Sequence, residues 1–378
     1  MESLEKKFRR KHLVLIVVNA LLVAAFVACL ALSASLGNSL RSQQAAEVWA
    51  GQSGERFAQV SVFFPESYGF DERRIFELRD RLNRALLEVS LESGPGNTLI
   101  ADAWSADYNF FVVGEHDSLM VPVIGVGGDF FLFHPLNLRS GSYISPNDIM
   151  KDRVVLDEEL AWRLFGSSQL AGLEVTINDR PFIIAGVVSR ESDFASGQAY
   201  TGGAGMFMSF EAVQSMTDGD IGVSSYAVVM PNPITGFALS ALTETFPDSD
   251  VHIVENSARF SIGNAFRAIR SFGERSMRTD AIALPYWENA ARIVEDWLAL
   301  LLLLALVFAV LPFVCAVIYC VVLVRFGFRF CKRKVIEQIH RRDDRKYKEY
   351  LAEHSNEPQI YDTAYNVTDV MHEGQDER

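Results

Sequence analysis

Two long runs without a charged residue constrain this chain more than any other feature. Residues 13–33 (LVLIVVNALLVAAFVACLALS) form one, and residues 297–324 (WLALLLLLALVFAVLPFVCAVIYCVVLV) form the other. A helix rises about 1.5 Å per residue, so roughly 20 apolar residues cross a hydrocarbon core of about 30 Å. Both runs are long enough, and a helix, which satisfies its own backbone, is the form that an isolated run takes in lipid. Basic residues flank the outer ends of the two runs. Lys6, Lys7, Arg9, Arg10 and Lys11 precede the first, while Arg325, Arg329, Lys332, Arg333 and Lys334 follow the second. The positive-inside rule puts both clusters in the cytoplasm. Glu295 and Asp296 sit on the opposite side of the second run. The sequence therefore predicts a plasma-membrane protein with two spans and both termini cytoplasmic. Its segments are a short inner N-terminus (1–12), a first span (13–33), an extracytoplasmic domain (34–296), a second span (297–324) and a charged inner tail (325–378).

Charge is spread unevenly between these segments. Residues 34–296 hold 19 Lys and Arg against 35 Asp and Glu, whereas the flanking segments are positive or balanced. An acidic outer domain argues against nucleic acid as a partner. All four cysteines (Cys29, Cys315, Cys320 and Cys331) lie in or beside the apolar runs. The outer domain is therefore held by its core and not by disulfides, and its size suffices for that.

Periodicity divides the outer domain. A strand over 56–65 leads to an amphipathic helix over 70–91, with Ile75, Leu78, Leu82 and Leu86 at helical spacing and Asp71 as its N-cap. Short strands follow at 98–104 and 109–113. A second strand–helix–strand unit reads as 225–230, 233–246 and 251–254. Two such units around an insertion predict an α+β body, a split α/β unit whose sheet is covered by helices on one face. The insertion, about 130–222, reads as β-rich: a strand at 152–156, a helix at 158–165 ended by Gly166, and strands at 174–177 and 182–188 joined by the turn Asn178-Asp179-Arg180. Residues 195–205, rich in Gly and Ser, read as a mobile loop. Residues 259–278 break the acidic trend: Arg259, Arg267, Arg270 and Arg275 alternate with aromatic and aliphatic residues that include Phe266. That pattern fits a helix lying on lipid headgroups, and it fits a surface helix packed on the core equally well. Ala20, Ala24 and Ala28 give the first span a small-residue face suited to helix packing. Pro312 falls mid-way along the second span, where it can kink the helix.

Chemistry is absent from the motif content. There is no phosphate loop, no H-E-x-x-H, no paired C-x-x-C and no G-x-S-x-G. The seven histidines have no metal-ligand spacing. Asp157-Glu158-Glu159 looks like an acidic site, but acidic residues at a helix start, favoured by the dipole, are the simpler reading. The chain is expected to be no enzyme and to need no cofactor.

Residues 121–190 carry a resemblance. Gly125-Val126, Leu138-x-x-Gly141, Val154-Val155-Leu156, Ala161-x-x-Leu164-Phe165-Gly166, Gly172 and Phe182-x-x-Ala185-Gly186-Val187-Val188 occur in this order. This segment resembles the periplasmic core domain of MacB-type ABC transporter permeases. The resemblance implies a porter-like α/β part interrupted by a β-rich insertion. It implies structural roles for the shared residues: Gly141, Gly166 and Gly186 at tight turns or close backbone approaches, and Leu156, Leu164, Phe165 and Phe182 in the core. It also implies a transport system in which a cytoplasmic ABC ATPase moves membrane helices and, through them, the outer domain. Permeases of that type have three helices after the outer domain, whereas one follows here. The expected function is thus a permease-like subunit of an ABC-type exporter. It would associate with an ABC ATPase and with a further permease subunit or a second copy, and it would touch membrane lipid. The alternative is a two-span extracytoplasmic sensor, ligand-binding or scaffold protein.

Overall fold

The computed structural model describes residues 2–51, 54–92, 98–200, 204–217, 221–271 and 284–354. They fall into two units, Met1–Ala309 and Val310–Arg378, and the described part of the second, to His354, continues the last helix. In chain order the elements are α1 (Glu2–Ser39), α2 (Ala45–Ala50), β1 (Phe57–Phe63), α3 (Glu72–Glu88), β2 (Ala101–Val113), β3 (Ser118–Gly128), α4 (Phe130–Phe133), β4 (Asn137–Gly141), β5 (Arg153–Asp157), α5 (Glu158–Phe165), β6 (Glu174–Ile177), β7 (Arg180–Ser189), α6 (Phe194–Ala199), β8 (Met206–Ser209), α7 (Phe210–Met216), β9 (Ser225–Pro231), α8 (Phe237–Thr245), β10 (His252–Glu255), α9 (Ile262–Arg270) and α10 (Tyr286–His354).

All ten strands join one sheet in the order β10-β1-β9-β2-β3-β8-β5-β7-β4, with β6 against both β2 and β7. One half is the antiparallel set β10, β1, β9 and β2. In the other half the path β2–β3–β8–β5–β7–β6 returns to β2 and closes a six-stranded barrel. Strand β2 belongs to both halves. Its 13 residues pair with β9 at one end and with β3 and β6 at the other. The sequence reading divides this stretch into two short strands, with Asp107 and Tyr108 in the gap between them. In the structure both residues lie mid-strand, and the long hairpin with β3 carries them (Asp107 opposite Ile124).

Local signals account for most elements. In α3 the residues Ile75, Leu78, Leu82 and Leu86 are all buried, and Asp71 accepts the Arg74 amide at 3.0 Å. Helix α5 begins where Asp157 accepts the Leu160 amide at 2.7 Å, and it ends at Gly166 in the left-handed conformation. Asn178 and Asp179 both have positive φ, the requirement of a tight hairpin turn between β6 and β7. Where a mobile loop is expected over 195–205, its first five residues belong to the helix α6, Phe194–Ala199. Its N-cap Asp193 accepts the amides of Ala195 and Ser196, a cap that a Gly/Ser count does not weigh.

Helices α3 and α8 cover one face of the antiparallel half, over a core that includes Val60, Leu82, Tyr226 and Leu242. The other face is covered as well, which corrects the one-face expectation. There α2, α4 with its Phe133, and Trp287 at the start of α10 close over Ala103, Val155 and Val229. The barrel interior is a third core, with Phe110, Leu156, Leu164, Ile177 and Met208 at its centre.

Among the described residues two helices are long and apolar enough to cross a membrane, within His12–Ser39 and Tyr286–Leu351. Only 6% and 11% of their most apolar windows are buried, so the protein body leaves their greasy surface uncovered, unlike the core helix of a soluble domain. Pro312 lies within the unbroken helix α10.

Candidate functional site: the root of the last helix

Both apolar helices meet the sheet at one place, and it is polar. After α1 the chain makes a turn of 3-10 helix at Arg41–Gln43 and enters α2. There the β1 residue Gln59 holds the turn from below: its amide nitrogen donates to the Ser42 carbonyl at 2.8 Å, and its oxygen accepts the Ala45 amide at 3.1 Å. The Gln43 oxygen accepts from Asn256, just after β10, at 2.8 Å. Arg259 follows and is 3% exposed. Its guanidinium grips both oxygens of Glu288, on the first turn of α10, at 2.6 and 2.7 Å. Its Nε reaches Glu295, two turns further on, at 2.8 Å. Arg292, between them on the same helix face, donates to Glu288 at 3.0 Å and lies 2.9 Å from the His252 ring of β10. Among the described residues, two cations and two carboxylates thus meet in a buried site that ties the exit of α1, the entry of α10 and the sheet edge together. Burial pushes the Glu288 carboxyl up, but Arg259 and Arg292 outweigh it, and its pKa lies below the ordinary value.

Beside this network Trp287 wedges into the sheet face. It stands edge-on to Phe130 at 5.7 Å between ring centroids and lies 4.2 Å from His134. His134 is buried among these rings, and burial pushes its pKa down to about 3, so it is neutral.

A cavity of about 280 Å³ opens on the other flank of the root. Strands β2, β3, β5, β7 and β8 form its floor, and Pro285, Tyr286 and Asn289 of the α10 start form one wall. Tyr200 and Tyr286 stack at 4.3 Å and both donate to Glu191. Arg190 pairs with Asp157 at 2.6 Å and stacks over Tyr200. Asp107 faces the same space from mid-β2. Solvent in the cavity reaches it, yet the surrounding walls push its pKa up to about 6, against a hydrogen bond with Ser224.

The residues singled out by sequence fall in different places. Arg259 is a correction: it is not at a lipid surface but inside the ion network. A local pattern of arginines among aromatics cannot show the two glutamates that match it some thirty residues downstream. Phe266, Arg267 and Arg270 are exposed on α9, and Arg275 lies outside the described residues. Ala20, Ala24 and Ala28 are exposed on α1. The face of α1 that meets α10 carries Phe26, Cys29 and Leu36, packed on Leu301, Ala305 and Phe308. Leu156, Leu164, Phe165 and Phe182 are buried in the barrel core. Gly141 has a φ of +72°, and a side chain there would collide with the Ala185 carbonyl and with Gly186 across the β4–β7 pair. Glu288 and Arg292 were not picked out by sequence. The available signal was charge at i, i+4 and i+7 on one face of a helix about to become wholly apolar. Among the described residues no group of His, Cys, Asp and Glu has a metal-binding arrangement.

Comparison with known proteins bears on the family. The MacB-like periplasmic core domain model matches residues 16–246. Among solved structures, the periplasmic region of MacB from Actinobacillus actinomycetemcomitans is similar at 19% identity, over 58% of this chain and 94% of that one, with a TM-score of 0.40. The extracellular domain of the noncanonic ABC-type transporter YknZ from Gram-positive bacteria is similar at 14% identity, over 52% and 99%, with a TM-score of 0.37. No curated protein matches the chain. The family model covers well over half of the sequence and includes every motif quoted above, so the chain belongs to the MacB-like periplasmic core domain family.

Proposed function

We propose that the chain is a permease-like membrane subunit of an ABC-type export system, which couples membrane helices to an extracytoplasmic domain and has no catalytic activity of its own. Residues 13–33 and 297–324 span the membrane, residues 34–296 lie outside, and both ends are cytoplasmic. The observation that carries this reading is the buried ion network at the root of α10. A helix whose first turns are clamped to the sheet by Arg259, Glu288, Arg292 and Glu295 cannot slide or rotate without taking the sheet along. Breaking one partner of a buried pair costs about 3–5 kcal/mol, so thermal motion alone rarely opens such a joint. Family membership supports the same reading.

The motion would come from an ABC ATPase in the cytoplasm, acting on this chain through its basic inner segments or through a further permease subunit or second copy. The uncovered sides of α1, including Ala20, Ala24 and Ala28, are the surfaces offered to such a neighbour. On α9, Ile262 and Phe266 stand exposed one turn apart beside Arg267 and Arg270, an arrangement suited to outer-leaflet lipid. The test is purification of the intact complex from native membranes in mild detergent. An ATPase with a phosphate loop should co-purify, and Glu288→Gln should weaken the complex's transport without releasing the ATPase. A chain that brings down no ATPase would instead act as a two-span binding or scaffold protein.

A further inference from the structure

The cavity beside α10 has no part in the coupling scheme, and its chemistry is specific. Its walls are mainly apolar, with Ile124, Leu136, Met206, Phe207 and Pro285 among them. Its volume of about 280 Å³ lies at the lower edge of the roughly 300–1,000 Å³ typical of small-molecule sites. It holds about nine waters' worth of liquid volume, at ~30 Å³ each. The titratable groups facing it come from five places in the fold. Arg190, just after β7, and Asp157 of β5 neutralise each other. Tyr200, which caps the end of α6, and Tyr286 of α10 are neutral phenols whose hydroxyls are committed to Glu191. That leaves Asp107 of β2, whose environment contains the Ser224 hydroxyl and, among the described residues, no basic side chain that offsets its charge. A carboxylate at one end of a mostly apolar chamber, with two stacked tyrosine rings on another wall, attracts a positive charge and rejects a negative one.

We propose that this cavity is a binding site for a small organic cation, an amine with an apolar body, whose ammonium pairs with Asp107 while its body packs against Ile124, Leu136 and Phe207. An occupant would touch Tyr286 and Asn289 directly, so it would sit against the first turn of α10, next to the Glu288 clamp. The assignment rests on the cavity alone and not on an ATPase partner; either can fail without the other.

The test uses the full chain in lipid nanodiscs, with empty nanodiscs as blank, and isothermal titration at pH 7.5. The probes are 3-phenylpropylammonium and its neutral counterpart of the same shape, 3-phenylpropan-1-ol. The amine should bind the wild-type protein saturably, and the alcohol should bind about tenfold more weakly or less. Asp107→Asn keeps the shape and removes the charge, so it should reduce amine affinity about tenfold and bring it level with the alcohol. Equal binding of amine and alcohol to the wild-type protein overturns the proposal, as does equal amine binding by wild type and Asp107→Asn. If Asp107→Asn does not fold, the comparison of the two probes on the wild-type protein decides alone.

Discussion

Glu288 is fully buried, and replacing it with glutamine removes the charge while keeping the shape. Arg259 and Arg292 then face a neutral amide in a buried site. The expected loss is about 3–5 kcal/mol, read as a lower unfolding midpoint in denaturant. The double variant Arg259→Met/Glu288→Leu should lose less than Glu288→Gln alone, because one cation and one carboxylate leave together and the remaining Arg292 and Glu295 balance in charge, whereas Glu288→Gln leaves a buried cation in excess. A double variant that loses more would show that the network is not acting as a unit. Two other residues predict opposite responses to acid. His134 has its pKa depressed to about 3, so it stays neutral in the folded protein while the unfolded chain takes up a proton below about 6.5. Its contribution to stability is therefore present above that value and is lost as pH falls from about 6.5 towards 3. Asp107 is raised to about 6, so the folded protein holds its proton more tightly than the unfolded chain does. Its contribution is favourable below the usual carboxylate range and is lost as pH rises through about 4 to 6. His134→Phe should therefore flatten the acid limb of a stability–pH profile, and Asp107→Asn should raise stability at pH 7 relative to wild type.

Helices and strands were legible to different degrees, for physical reasons. Helix α3 could be read because one face is apolar at every turn and a cap residue stands before it. Helix α5 and the β6–β7 turn could be read because a left-handed residue or an Asn-Asp pair marks the chain reversal. Strand β8, Met206–Ser209, could not be read, since four residues carry no period, and its place between β3 and β5 is set entirely by distant partners. The same limit hid the closed barrel: β6 reaches β2 through only Val112–Ile177 and Val113–Thr176. Within that barrel Leu164 is fully buried, and Leu164→Ala should cost about 2–5 kcal/mol in unfolding free energy. On α9, Phe266→Trp places a fluorophore on the exposed face. Brominated phospholipids should quench it strongly in nanodiscs, and emission indifferent to them would remove the lipid-contact role.

For the whole molecule, the candidate site was the least legible part. It draws on residues from 42 to 295, and each alone has an ordinary local explanation: Arg259 as one of several arginines, Glu295 as a flanking charge, Gln59 as a polar residue in a strand. Only the fold brings them to the root of α10. The two apolar runs, by contrast, needed no tertiary information, because length and the absence of charge suffice. The coupling account requires those runs to separate the sheet from the charged tail by a membrane. The native cysteines allow a direct test, since among them Cys331 lies beyond the second apolar run and is exposed, and the outer body has none. Thr243→Cys adds an exposed thiol on α8. In intact cells a membrane-impermeant maleimide should label the introduced thiol at 243 and should reach Cys331 only after the membrane is permeabilised. Labelling of both in intact cells, or of the 243 position only after permeabilisation, would contradict the account.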